Sequence, residues 1–360
     1  MAVFIPESYY SYTERSSGQR PSSLTPASAA AHTLCVHVKL SRQEAMGGRY
    51  PKVMRATLVF LSVLGVPLFA QDRDSDLLRS LTKPLPLLPV DRIEMKARPS
   101  LTFEGISAVT TDKQGNIYVI HRPKDGDPVV VLDPQGNVLR SWGKGMFTTP
   151  HGIRIDPAGN VWTVDAHASM LYKFTPHGRK LLEISIGDVP DSTREFCGAT
   201  DVAFAPNGRM FVADGYCNAR VIEYDSTGRK VRQWGHPGAG PGEFNVVHAI
   251  AISPQGTLYV ADRENGRLQW FDLDGTFLGQ WKFGGQLYNV AFNAAGEMYV
   301  STHPKDVSLD DEFDVVKVEP RTGLMLGRVR VRSHELAIGS DGTLFPATRS
   351  DQLLLFRPRK

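Results

Sequence analysis

The sequence predicts an all-β protein, a six-bladed β-propeller spanning residues 101–360. Two observations carry that prediction: a unit recurs six times at spacings of 40 to 49 residues, and each copy holds about four short apolar stretches joined by turns containing glycine. A four-stranded repeat of this period cannot bury its apolar faces alone, so it stacks on its neighbours around a ring. The clearest copies begin at His151, Thr200 and His248. First-turn glycines fall at Gly115, Gly159, Gly208, Gly256, Gly296 and Gly342, and second-turn glycines at Gly136, Gly178, Gly228, Gly275 and Gly323. Glycine supplies the positive φ that tight hairpin turns require. The sixth unit runs out before its outer strand, so the segment Leu85–Arg98 is expected to supply that strand and close the ring, with residues 71–100 as linker and closing strand.

The amino terminus reads as something other than fold. Residues 1–53 are rich in Ser, Ala, Thr and Arg without apolar periodicity and read as a mis-called or disordered leader, with Met54 as the biological start. Residues 54–70 then have the layout of a signal peptide, Lys52 and Arg55 preceding the apolar run LVFLSVLGVPLFA. That run is shorter than the roughly 20 residues of a membrane span, so export to the periplasm or outside is expected, with no stable span in the mature form. Residues 1–70 hold seven of the 41 basic and three of the 38 acidic residues, which leaves 34 Lys+Arg against 35 Asp+Glu. A near-neutral chain has no electrostatic footprint for nucleic acid. A monomer is expected.

Alternate blades carry histidine at one offset. Eight residues before the first-turn glycine, units 2, 4 and 6 have His151, His248 and His334, whereas units 1, 3 and 5 have Ser107, Thr200 and Tyr288. Equivalent positions in alternate blades of a six-bladed ring converge on the axis at one depth. The result is a facial three-histidine set, open on its other side, of the kind that holds catalytic zinc. Each histidine taken alone reads as an ordinary buried side chain; the repetition at one offset is what points to a metal. The hairpin geometry brings Arg122, Arg263 and Tyr216, seven or eight residues after their glycines, to the same rim. Two guanidiniums beside a metal suit capture of a carboxylate. Cys197 and Cys217, a lone pair once Cys35 is set aside with the leader, face each other across the same turn and read as a disulfide. Asp165, Asp214 and Asp262 recur six residues after their glycines and read as turn or inter-blade hydrogen-bond acceptors.

The strings FCGATDVAFAPNGRMFVADGYCNARV, WGHPGAGPGEFNVVHAIAISPQGTLYVADRENGRLQWF and TPHGIRIDPAGNVWTVD resemble the catalytic core of the peptidyl-α-hydroxyglycine α-amidating lyases, propellers of NHL-type repeats. The resemblance runs from about Ser107 to Phe271 and more weakly beyond. It implies that His151, His248 and His334 are zinc ligands, Tyr216 the catalytic base, Arg122 and Arg263 the substrate-binding arginines, and Cys197–Cys217 a disulfide. It also implies a structural calcium held by the backbone carbonyls of Val109 and Ile153 and by a carboxylate at Glu335, where the family has aspartate. The prolines before the second and third histidines are replaced by Val247 and Ser333. The implied reaction cleaves an N-acyl- or peptidyl-α-hydroxyglycine to an amide and glyoxylate, with a small-molecule or peptide substrate bearing a free carboxylate. The rival readings are a non-enzymatic propeller that binds a ligand or protein partner, and a metal-dependent lactone or ester hydrolase, which would want acidic metal ligands that the triad lacks.

Overall fold

The computed structural model describes residues 85–191, 193–304 and 314–359. The expected leader (1–53) and signal peptide (54–70) lie outside the described residues. The chain divides into two units, Met1–Leu64 and Gly65–Lys360, and every described residue belongs to the second.

Among the described residues every regular element is a strand, and the strands form six four-stranded antiparallel sheets. The innermost strands are Ala108–Thr111, Pro150–Ile155, Asp201–Phe204, Val247–Ile252, Gly285–Phe292 and Leu336–Ile338, for blades 1 to 6. They touch in cyclic order, with the inner strand of blade 6 against that of blade 1. The ring is therefore closed, and the chain is a six-bladed β-propeller.

The apolar core lies between blades rather than at the centre. It divides into six clusters, each built from two neighbouring sheets. Between blades 1 and 2, for example, Tyr118, Ile120 and Val131 meet Ile153, Val161 and Phe174. Burial on both faces explains why the second strand of each blade reads as a continuous apolar run, such as MFVAD or LYVAD, instead of alternating.

Turn chemistry repeats as closely as the packing. The six first-turn glycines have φ between 82° and 86°. At Gly178 close approach matters as well, because a Cβ there would stand 2.8 Å from Trp142 of the preceding blade. Glycine at the second turn thus lets one blade seat against the tryptophan of its neighbour.

Blade 6 is completed from both ends of the propeller. Val90–Met95 pairs antiparallel with Leu353–Pro358, placing Ile93 opposite Leu355. Ile93 and Met95 pack on Phe345, Leu353 and Leu355. A buried aliphatic side chain contributes about 1.5–3 kcal/mol, so a chain beginning after Arg98 is expected to melt on the order of 10 °C lower by circular dichroism. An unchanged Tm would contradict closure by this strand.

Candidate metal centre

The three repeat-position histidines meet at the axis. The inner strands of blades 2 and 4 each shift register at the histidine, between Pro150 and Gly152 and between Val247 and Ala249. A bulge of this kind re-aims a side chain that regular pairing would leave in the sheet. His334 lies just before the inner strand of blade 6. All three are buried, and one ligand atom from each lies within 4.8 Å of the others.

Each imidazole is oriented by the next blade. Nδ1 of His151 lies 2.8 Å from the Thr200 carbonyl, that of His248 2.7 Å from the Tyr288 carbonyl, and that of His334 3.0 Å from the Ser107 carbonyl. A carbonyl only accepts, so each Nδ1 carries the proton and each Nε2 turns its lone pair to the centre. The three acceptors occupy the same repeat position as the histidines, in blades 3, 5 and 1. Burial pushes all three imidazoles well below their ordinary pKa; the charges of Arg122, Arg263 and Arg349 add most to this at His151, His248 and His334 respectively. They are neutral at physiological pH, the form a metal needs. Nε2 of His334 is buried without a hydrogen-bond partner, which costs about 1–3 kcal/mol unless something fills the position. The donor set fits one metal ion.

Tyr216 covers the open side. Its hydroxyl lies 2.8 Å from Nε2 of His151 and 3.3 Å from Nε2 of His248. The preceding Gly215 makes this approach possible, since a Cβ there would fall 1.9 Å from the carbonyl oxygen of Val247, the neighbour of His248. On the other side Cys217 is joined to Cys197 in a disulfide with a Cα–Cα distance of 4.7 Å. Closing a loop of 20 residues stabilises by roughly 3 kcal/mol on the chain-entropy model. Positive charge beside Tyr216 favours tyrosinate. Burial outweighs them: the phenol is held above its ordinary pKa, with Arg263, Arg349 and Arg122 pulling it down. In this state it is protonated and donates to a histidine Nε2.

Arg122 and Arg263 reach the same mouth. Arg122 donates from Nε to the Pro150 carbonyl at 3.0 Å and lies over Phe196, 5.2 Å from the ring centre. Arg263 pairs with Glu264 at 2.8 Å and lies over Tyr216 and Tyr288. Two further residues belong here that the sequence reading leaves out. Arg349 lies over Phe196 at 5.9 Å, has φ +56°, and its charge lowers the pKa of all three histidines and of Tyr216. Its signal was available, because it follows Gly342 by the same seven residues that separate Arg122 and Arg263 from their glycines. Phe196 touches His151 and Tyr216 edge-on or tilted and forms an apolar wall. It stands in a loop outside the repeat, so no periodicity marks it.

Asp165, Asp214 and Asp262 are acceptors. Asp165 takes backbone N–H groups of Thr148 and Thr149, Asp214 takes Arg220 and Asn218, and Asp262 takes Asn245 N–H and Arg267. The calcium set implied by resemblance is a different matter. Val109 and Ile153 lie in the inner strands of blades 1 and 2, but the Ile153 carbonyl accepts Nη1 of Arg154 at 3.1 Å. Glu335 accepts Nη2 of the same arginine at 2.6 Å and also the Asn289 amide. A guanidinium stands among the donors, and the residues present do not fit calcium.

Fold and centre together define a six-bladed propeller with a three-histidine site at its axis. A family model described as a 6-bladed beta-propeller matches residues 192–316. Peptidylglycine alpha-amidating monooxygenase of Rattus norvegicus is 36% identical over 201 residues, 47% of this chain and 21% of the relative. Peptidyl-alpha-hydroxyglycine alpha-amidating lyase 1 of Drosophila melanogaster is 34% identical over 240 residues, 55% of this chain and 44% of the relative. The chain thus spans less than half the length of these two relatives. Among solved structures, virginiamycin B lyase from Staphylococcus aureus superposes with a TM-score of 0.53 at 11% identity, covering 75% of this chain and 100% of that one; at that identity the likeness shows the shared fold alone. Over about half its length the chain is similar to proteins named peptidyl-alpha-hydroxyglycine alpha-amidating lyase.

If the three histidines form one metal centre, His248→Ala loses bound metal in elemental analysis while the circular dichroism spectrum stays that of the folded propeller. Retention of the full metal content would place the ion elsewhere.

Proposed function

We propose that this protein is a zinc-dependent lyase that cleaves the C–N bond of an N-acyl- or peptidyl-α-hydroxyglycine, releasing an amide and glyoxylate. The observation that carries the reading is the Tyr216 hydroxyl within hydrogen-bond reach of two of three converging histidines. Three neutral imidazoles with an open fourth side suit zinc better than magnesium or calcium. Zinc on His151, His248 and His334 would supply Lewis-acid polarisation of the substrate hydroxyl.

The chain's own residues account for the rest. Cleavage removes the hydroxyl proton, turns that C–O bond into the aldehyde of glyoxylate, breaks C–N and returns a proton to the amide nitrogen. Tyr216 is the group that would take the hydroxyl proton; burial holds its phenol protonated in the free protein, so it must first give up its own proton, a loss that the charges of Arg263, Arg349 and Arg122 favour. Arg122 and Arg263 hold the substrate carboxylate, with Arg349 adding a third positive charge at the mouth. Phe196 shields the reacting atoms from water. The names of the relatives support a lyase, and the Cys197–Cys217 disulfide supports export to an oxidising compartment.

Release of glyoxylate from α-hydroxyhippurate by the zinc-loaded protein is the direct test. Tyr216→Phe is expected to lower kcat by about 10²–10⁴-fold, the usual worth of positioned acid–base assistance, with zinc content unchanged. Full activity in that variant would overturn the mechanism. A zinc-replete wild type that releases no glyoxylate would instead make this a ligand-binding propeller. Arg263→Ala is expected to raise KM for the carboxylate substrate by about 10- to 100-fold, the worth of one charged hydrogen bond, with a smaller fall in kcat.

A further inference from the structure

The histidine layer lies eight residues before each turn glycine, and the next residue, seven before it, forms a second set of equivalent positions. There blades 3, 5 and 6 carry Asp201, Asn289 and Glu335, and blades 1, 2 and 4 carry Ala108, Gly152 and Ala249. Three oxygen-bearing side chains thus share a layer with three small residues. Into that layer comes Arg154, at a repeat position where the other blades have Thr110, Ala203, Ala251, Ala291 and Ala337. Its Nη2 lies 2.8 Å from Asp201 and 2.6 Å from Glu335, and its Nη1 donates to the Ile153 carbonyl. Both carboxylates are fully buried, and Arg154 is 18% exposed. The contacts spread further: Asp201 also accepts the Ile250 N–H of blade 4, and Glu335 the Asn289 amide of blade 5. One guanidinium therefore ties blades 2, 3 and 6 directly, and blades 4 and 5 through its partners.

We infer that Arg154 is a built-in cation, which occupies with its guanidinium the carboxylate-and-carbonyl cradle that a divalent cation would otherwise fill, and so makes the propeller independent of calcium. Two buried carboxylates need a positive partner. A divalent ion placed on the same oxygens would stand against a guanidinium already bonded to them. The longer glutamate at 335 suits a partner anchored in blade 2, since the side chains must meet across the channel.

The test uses the zinc-replete protein and reads calcium content and Tm rather than turnover. Wild type dialysed against calcium is expected to hold none by elemental analysis and to melt at the same temperature in calcium or in calcium-free buffer. Arg154→Ser, which leaves the carboxylates without a cation, is expected to melt lower in calcium-free buffer and to recover on the order of 5 °C when calcium is present at about 100 times its Kd. Should that variant fail to fold without calcium, refolding with and without the ion gives the same answer. Arg154→Lys keeps the charge and is expected to remain indifferent to calcium. A wild type carrying about one calcium per chain, or an Arg154→Ser protein that calcium does not stabilise, would overturn the inference.

Discussion

The site depends on the closed ring of inner strands, because that closure turns a position in a repeat into a position around an axis. Even-numbered blades supply imidazoles at one depth, and odd-numbered blades supply, from the same repeat position, the carbonyls that fix their tautomers. Neither half works alone. The histidines without their acceptors would be free to rotate and to protonate on either nitrogen, and the carbonyls would be buried acceptors without donors. Since each bond crosses from one blade to the next, the orientation of the centre and the packing between blades are one arrangement.

Charge is layered along the channel. The mouth is positive, with Arg122, Arg263 and Arg349 from blades 1, 4 and 6 around Phe196, Tyr216 and Tyr288. Behind the histidines lie two buried carboxyl groups. Burial raises both, Glu335 well above its ordinary pKa with Asp201 beside it, while Arg154 draws them down. An anion approaching from the mouth would meet the positive layer first and neutral imidazoles next. Aromatic faces of Phe196, Tyr216 and Tyr288 lie under the arginines and help hold these cations at the mouth.

The period of the glycines made the blades legible in the sequence, and the shared offset made the three histidines legible as one set. Tyr216 and the arginines followed from hairpin geometry. What escaped had physical reasons. The bulges that aim His151 and His248 arise from register, which no single strand encodes. Burial dominates the acidity of Tyr216, and burial belongs to the assembled mouth. Phe196 stands in a non-repeating loop. Arg154 reads as an ordinary polar residue of a strand until the carboxylates of blades 3 and 6 are brought around the ring to meet it.

The seam in blade 6 gives the centre a further property. That sheet joins Val90–Met95 to Leu353–Pro358, so its completion is the longest-range event in the fold and the slowest kind of contact to form. His334 belongs to the same blade. An ion held by all three histidines therefore finds its full ligand set only once blade 6 has joined the ring, and it must let go of one ligand before that blade can part. Loading would report that the ring has been zipped shut, and a bound ion would act as a latch on the one place where the circle can be opened, slowing unfolding at the seam more than anywhere else.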